Sequence, residues 1–435
     1  MAQSVLPNSI NYQDQLPALI PGVQNFTQVL QPVNGSTFVQ NQQVFFDLPS
    51  RGFIDPASIY IRYKMTVTTT GNQALNVLGC PLYTPFQRVD TFFNSQIIDS
   101  VPDYNQVAHA WSNLFLSVSD KYGNQYGFGY KDPTDGEVRM DELDGRNLGT
   151  VTTAGVNYFV SGPVVCTKLA NCEKFIPAFA TGGIRLVFTL DTWANMLDVT
   201  TNLDLASNKT FLSNFELVYD LIDFGSEIEQ LVLQQPNIMI KSNGYSNSSA
   251  AIATGTSGTN TIVFNQRFAS IRSAIVHPSG VTPTAATTVN GKFDAIDITS
   301  GGYYSLVVGG VQFPQGGPLS MANNKAGVLS ELRKATGNLY DWSKGMSINS
   351  VEFSYIETGN TTVIQPGKVY IGFDLNKLNS GGKNMLNGIS SQNSPINVVL
   401  NIATATAAAK NLNLILNYDC IFMIDPRTKM ISMNQ

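Results

Sequence analysis

At 435 residues the chain exceeds what one ordinary hydrophobic core fills, and it fits two domains of about 200 residues each. Charged residues make up only 13% and the formal net charge is -5, so no basic surface for wrapping nucleic acid is indicated; aromatics at 10% exclude a disordered chain. Asn, Gln, Ser, Thr and Gly fill the charge deficit, which suits a chain that buries surface against copies of itself, because interface centres are depleted in charge.

Residues 1–35 are rich in Pro, Gln and Asn and hold no sustained period, so an extended N-terminal arm is expected there, ordered only by packing. The opening MAQSVLPNSINYQDQLPALIPG has no basic start leading into an apolar core, and nothing reaches the roughly 18 uninterrupted apolar residues of a membrane span. A cytosol-like site of synthesis is expected. Cys80, Cys166, Cys172 and Cys420 then stay reduced, with Cys420 a buried free thiol inside a strand pattern.

Strands are predicted at 42–49 and 57–69, the second alternating Ile59, Ile61, Tyr63, Met65 and Val67, with a turn around Gly52 and Asp55-Pro56 between them. A strand at 88–99 leads into a helix at 103–118. Val107, Ala108, Trp111, Leu114, Phe115 and Val118 form its stripe, and Asp103 is placed to cap it. Residues 121–156 read as a long loop, and 158–166 as a strand.

The chain then reaches GIRLVFTLDTWANML, a polar loop, and NFELVYDLIDFG, spanning 183–225. About 200 residues later, at 394–425, SPINVVLNIATATAAAKNLNLILNYDCIFMID repeats the plan. Ile184, Leu186, Phe188 and Leu190 share one period-2 face, as do Ile396, Val398, Leu400 and Ile402. Each second strand passes through a Tyr-Asp pair, Tyr219-Asp220 and Tyr418-Asp419. This is an internal duplication.

The second half opens after a join at 231–236 with a strand, PNIMIK, and a Ser/Gly/Asn/Thr-rich loop at 242–260. Strands follow at 261–268 and 270–277, then a low-complexity loop at 278–288 and a strand pair at 303–314. A helix at 323–335 places Val328, Leu329, Leu332 and Ala335 on one side, with Gly337 beyond its end. Strands at 346–356 and 368–373 complete the run. Each half therefore reads as about eight short strands plus one short helix, an all-β chain of two tandem eight-stranded jelly rolls. The arm at 1–35, a first barrel at 36–232 and a second at 233–435 are the expected domains.

Catalytic chemistry is poorly represented. His109 falls beside the helix stripe and reads as a packed histidine; His277, before Pro278, reads as a turn residue. No Ser sits in a Gly-x-Ser-x-Gly elbow, and Gly381-Gly382-Lys383 lacks the rest of a phosphate loop. The acidic run at 131–146, with Asp132, Asp135, Glu137, Asp141, Glu142 and Asp144, lacks calcium-loop spacing; its Lys131, Arg139 and Arg146 point to a solvated loop. Trp111, Trp193 and Trp342 read as core residues before interface anchors. No catalytic, cofactor-binding or metal-ligating residue is assigned, and no enzyme is expected.

With the twin ends GIRLVFTLD…FELVYDLIDFG and PINVVLNIA…LNLILNYDCIFMID placed, and the strand-then-helix units around 103–118 and 323–335, the chain resembles the double jelly-roll major capsid proteins of tailless icosahedral DNA viruses. The likeness covers about residues 36–431 and lies in architecture, composition and length. It implies a structural virion protein, made in the host cytoplasm, whose homotrimers form pseudo-hexameric capsomers tiling an icosahedral shell. It implies no catalytic residue. Partners would be other copies, with minor capsid proteins, a penton protein and an internal membrane near the N-terminal arm; the inserts at 121–156 and 242–260 would form outer towers. The competing class is a tandem β-sandwich binding protein, such as a lectin-like adhesin or a viral spike.

Overall fold

The computed structural model describes residues 23–69, 72–130, 145–199, 209–281, 291–339, 345–348, 353, 367–377 and 386–434. The first half opens with β1 (Gln24–Leu30), β2 (Thr37–Val39), β3 (Gln43–Leu48), β4 (Phe53–Ile54), β5 (Tyr60–Thr68), β6 (Gln73–Leu78), β7 (Phe86–Phe93) and β8 (Gln96–Pro102). Helices α1 (Tyr104–Phe115), α2 (Val118–Gly123) and α3 (Gln125–Phe128) follow. Then come β9 (Gly145–Val151), β10 (Val156–Pro163), β11 (Ile176–Pro177), β12 (Ile184–Leu190), α4 (Trp193–Met196), β13 (Leu197–Val199) and β14 (Lys209–Asp223). Helix α5 (Ser226–Leu233) joins the halves. The second half holds β15 (Ile238–Ile252), β16 (Gly258–Phe264), β17 (Ile271–Ser279), β18 (Tyr303–Val308), β19 (Val311–Phe313), α6 (Lys325–Thr336), β20 (Ile371–Asp374), β21 (Ile396–Ile402), β22 (Lys410–Asp425) and β23 (Met430–Asn434).

No sheet among the described residues mixes strands from the two halves. In the second half one sheet runs β15-β22-β17-β20, with β23 added on β22, and the other runs β16-β21-β18-β19. In chain order the first sheet takes the first, last, third and sixth strands of a barrel and the second takes the rest, which is the jelly-roll connection. The first half repeats it. β1 and β2 pair with β14, which pairs with β4 and β5; β10 lies beyond β5 at one end and β11 beyond β4 at the other, and the facing sheet is β3-β12-β7-β8. A small sheet, β13-β6-β9, is added at one end. The duplicated strands therefore occupy equal places: β12 and β21 lie inside one sheet, β14 and β22 inside the other.

The period-2 faces explain why. Ile184, Leu186, Phe188 and Leu190 are buried, as are Ile396, Val398, Leu400 and Ile402, while Arg185 and Thr189, or Asn397 and Asn401, point away. Across the first barrel, Phe46 of β3 meets Phe215 of β14 edge-on at 5.1 Å, and Tyr63 of β5 meets Phe86 of β7 at 5.6 Å. Such rings fill the space between sheets and add an electrostatic preference for edge contact.

Several expectations change. The segment at 88–99 is a hairpin, β7 and β8, because Asn94 and Ser95 take φ of 45° and 65°, the left-handed pair that turns a two-residue loop. The polar run at 242–260 is not a loop. Fifteen of its surroundings' residues, Ile238–Ile252, pair one for one with Ile424–Lys410, so backbone pairing carries a strand that its side chains do not announce. Within 121–156, α2, α3 and β9 are regular; residues 131–144 lie outside the described residues, as do Trp342, Gly381-Gly382-Lys383 and most of 346–356. Residues 24–30, read with the arm, run as a strand paired with Asp223–Leu217 of β14.

Candidate functional site: the seam between the barrels

The concentration of buried polar groups lies where the two barrels meet, and α1 is its centre. Val107, Ala108 and Leu114 are buried as the stripe requires, with Trp111 stacked on Phe115 at 6.4 Å. The polar side of the helix is buried too: Asn105, Gln106, His109, Ser112 and Asn113. Gln106, His109 and Asn113 meet the second barrel, while Asn105 and Ser112 bond within the first. Gln106 donates to the Lys292 carbonyl at 2.8 Å, Asn113 to the Tyr370 hydroxyl at 3.2 Å, and Asn338 to the Leu114 carbonyl at 3.1 Å. The Ser347 amide donates to the Asn113 carbonyl at 3.0 Å. Lys121 donates to the Asn113 side-chain oxygen. Buried polar groups persist only when paired, and here pairing crosses the seam.

Charge crosses it as well. Lys292 of the second barrel reaches Asp191 of the first at 2.7 Å, and Asn105 donates to the same carboxylate oxygen at 2.7 Å. A second cluster joins the segment at 166–173 to β15: Ser242 donates to the Lys168 carbonyl at 2.5 Å, the Glu173 amide to the Lys241 carbonyl at 3.0 Å, and Asn171 to the Asn243 carbonyl at 3.1 Å. The Lys168 amide donates to Asp99 at 2.7 Å. Its ammonium lies 3.7 Å from the other Asp99 oxygen, 3.5 Å from the Met433 sulfur and 5.4 Å from the Tyr418 ring centre. Burial pushes the Asp99 carboxyl up to about 6, against the pull of Lys168.

Asp103 stands at the start of α1 with φ 45°, and its side chain makes no capping bond, contrary to expectation. Its carboxylate instead accepts from Asn247 of β15 at 3.4 Å. At the matching start of α6, Asn324 does cap, accepting from the Gly327 amide, and Gly337 ends the helix at φ 78°.

The sequence-flagged residues are dispersed. His109 packs edge-on to Phe293 at 5.6 Å, a buried seam histidine. His277 is not in a turn: it is buried inside β17 against Tyr370 at 5.3 Å, and burial lowers its pKa to about 4, so it stays neutral. Arg146 leaves the solvated role expected for it, being buried with its guanidinium 4.6 Å over the Tyr158 ring. All four cysteines are free thiols, Cys420 buried as expected; burial pushes Cys80 up to about 11 and Cys420 up to about 12, far from a thiolate at neutral pH. Two open outer grooves, of about 610 and 640 Å³, hold their charges in pairs such as Arg185 with Asp47 at 2.5 Å and Arg62 with Glu216. Among the described residues no set of His, Cys, Asp and Glu side chains could hold a metal ion, and no helix is long and apolar enough to cross a membrane.

The strand orders define a double jelly roll. No protein-family profile matches the chain, and no curated protein matches it in sequence. Solved structures do. The chain is similar to the subunit of the PBCV-1 virus capsid with a TM-score of 0.60 at 12% identity, covering 95% of this chain and 97% of that one. It is similar to the Sputnik virophage structure at 0.59 and 13% identity (100% and 93%), and to the mavirus major capsid protein at 0.55 and 14% identity (100% and 96%). These double jelly-roll proteins share the fold along nearly the whole chain.

Proposed function

We propose that the chain is the major structural subunit of an icosahedral virus shell, three copies forming a capsomer with six similar barrels. The observation that carries this is the welded seam. Two barrels of the same strand order are held together by hydrogen bonds and the buried Asp191–Lys292 pair, so one chain acts as a rigid double unit. Three rigid double units about a threefold axis present six near-equivalent sides, which a hexagonal lattice requires. The solved shell proteins with this fold support the reading, as does a charge content low enough for large self-interfaces. On this reading the polypeptide divides near α5, the residues before β1 lie at the shell's inner side, and function needs no catalytic group. Virion localisation and contacts with minor capsid proteins, a penton protein or an internal membrane belong to the same proposal.

Mass photometry of the recombinant chain tests it. The expected species is three times the 47.2 kDa chain mass. A species of 47.2 kDa throughout the micromolar range would remove the assembly reading.

A further inference from the structure

The joint between the barrels carries an apolar surface that the described residues leave open. α5, SEIEQLVL, buries none of its eight residues. Leu231 and Leu233 are exposed, Leu231 at 62%, and Ile228 and Val232 are only half-buried. No side chain caps the first turn. Isolated helices shorter than about 12 residues are marginal in water, and packing of an apolar face supplies most of the stability of a helix in a protein. Eight residues with no buried side chain lack that support.

The surface extends beyond the helix. Gln24 lies opposite Asp223, so Val23, 40% exposed, stands beside Phe224. The Phe224 ring lies 6.3 Å from that of Phe175, itself exposed. The Glu173 amide donates to the Lys241 carbonyl at 3.0 Å and the Asn171 side chain to the Asn243 carbonyl at 3.1 Å. These two segments therefore run antiparallel, and their next step brings Phe175 toward Met239, 58% exposed. Val23, Phe175, Leu231, Leu233 and Met239 thus gather around one joint. An apolar patch of this kind marks a surface that another segment or molecule covers.

We infer that residues 1–22 of the same chain cover this patch, their apolar side chains packing on α5. The β1–β14 register delivers them there, because Val23 stands beside Phe224, one residue before the Gly225 that opens α5. Their length is ample: a segment of this size reaches up to about 70 Å, and α5 is about 12 Å long. Their composition fits as well. Val5, Leu6, Ile10, Leu16, Leu19 and Ile20 supply apolar contacts, and Asp14 is the one charged side chain, so covering the patch buries no row of charges. A lipid surface fits less well. Helices that lie on membranes carry Lys and Arg on the polar face, whereas α5 carries Glu227 and Glu229 and no cation. The contact lies within a single chain and stands apart from the shell reading.

Hydrogen exchange of the full chain beside a chain lacking residues 1–22 tests it; the deletion ends before β1. Residues 226–233 are expected to exchange at least about tenfold faster in the shortened chain, at every protein concentration, with β21 and β22 unchanged. Equal exchange in the two chains overturns the inference. So does protection of α5 that appears only as concentration rises, which would put a second copy on it. Protection that appears only with phosphatidylcholine–phosphatidylglycerol vesicles would put lipid there, and overturns it too. A Leu231→Asp, Leu233→Asp variant of the full chain gives a reading that does not require the shortened chain to fold. Chymotrypsin is expected to cut after Tyr12 or Leu16 at least about fivefold faster in this variant than in the unsubstituted chain, and equal rates overturn the packing.

Discussion

Asp99 carries the clearest pH signature of any single residue. Its neighbours by charge are Lys168, which lowers its pKa, and Asp90, which raises it, but burial dominates and lifts it from 3.8 to about 6. The folded state therefore holds this proton more tightly than the unfolded chain does. Stability from this group is fully present below the unfolded value near 3.8 and is lost as pH rises through 6. The direction is opposite to that of an ordinary salt-bridged carboxylate, because here ionisation costs more desolvation than Lys168 returns. The size is on the order of 2–3 kcal/mol between the two limits. Asp99→Asn keeps an acceptor for the Lys168 amide and removes the titration. Melting temperatures of the two proteins are expected to diverge as pH rises from about 4 to 6, the interval between the unfolded and folded values; parallel profiles across that window would show that Asp99 does not titrate there.

At the scale of elements, the closing strands of the second barrel leave no room at Gly302, at the entry to β18. A Cβ there would lie 1.7 Å from the Asn401 carbonyl oxygen of β21, a backbone atom fixed by its own ladder. Gly302→Ala is expected to cost about 3 kcal/mol by forcing the strands apart, read as a lower urea midpoint at unchanged slope. A near-neutral result would mean that β18 enters the sheet differently. β21 itself was legible because Ile396, Val398, Leu400 and Ile402 alternate with polar residues, and β12 for the same reason. β15 was hidden: SNGYSNSSAA has the composition of a loop, and only pairing with β22 and cover from the first barrel make it a strand. β1 was hidden because both its faces are exposed, leaving no alternation to read. The polar side of α1 was missed as well, although a signal existed. YNQVAHAWSNLF contains no charged residue, whereas its twin KAGVLSELRKAT contains four, as a helix with a wet face does.

For the whole molecule, the question is whether two barrels behave as one body. Each has its own sheets and could in principle melt alone, as separate domains usually do. The seam argues otherwise. Gln106 and Asn113 bond across it, the Asp191–Lys292 pair is buried across it, and Ser242 ties β15 to the Lys168 carbonyl. Separating the barrels would break these bonds and open the polar side of α1 to water before either core is lost. Thermal unfolding of the isolated chain at dilution is therefore expected to be one transition, with a calorimetric enthalpy about equal to the van't Hoff enthalpy. A Gln106→Ala, Asn338→Ala variant removes two of the crossing bonds, to the Lys292 and Leu114 carbonyls, and leaves the Asn113–Lys121 pair in place. In it the enthalpy ratio is expected to rise toward about two as the barrels uncouple. Two resolved transitions in the unsubstituted chain would show the seam to be weak, and a shell built from it would then owe its rigidity to contacts between chains.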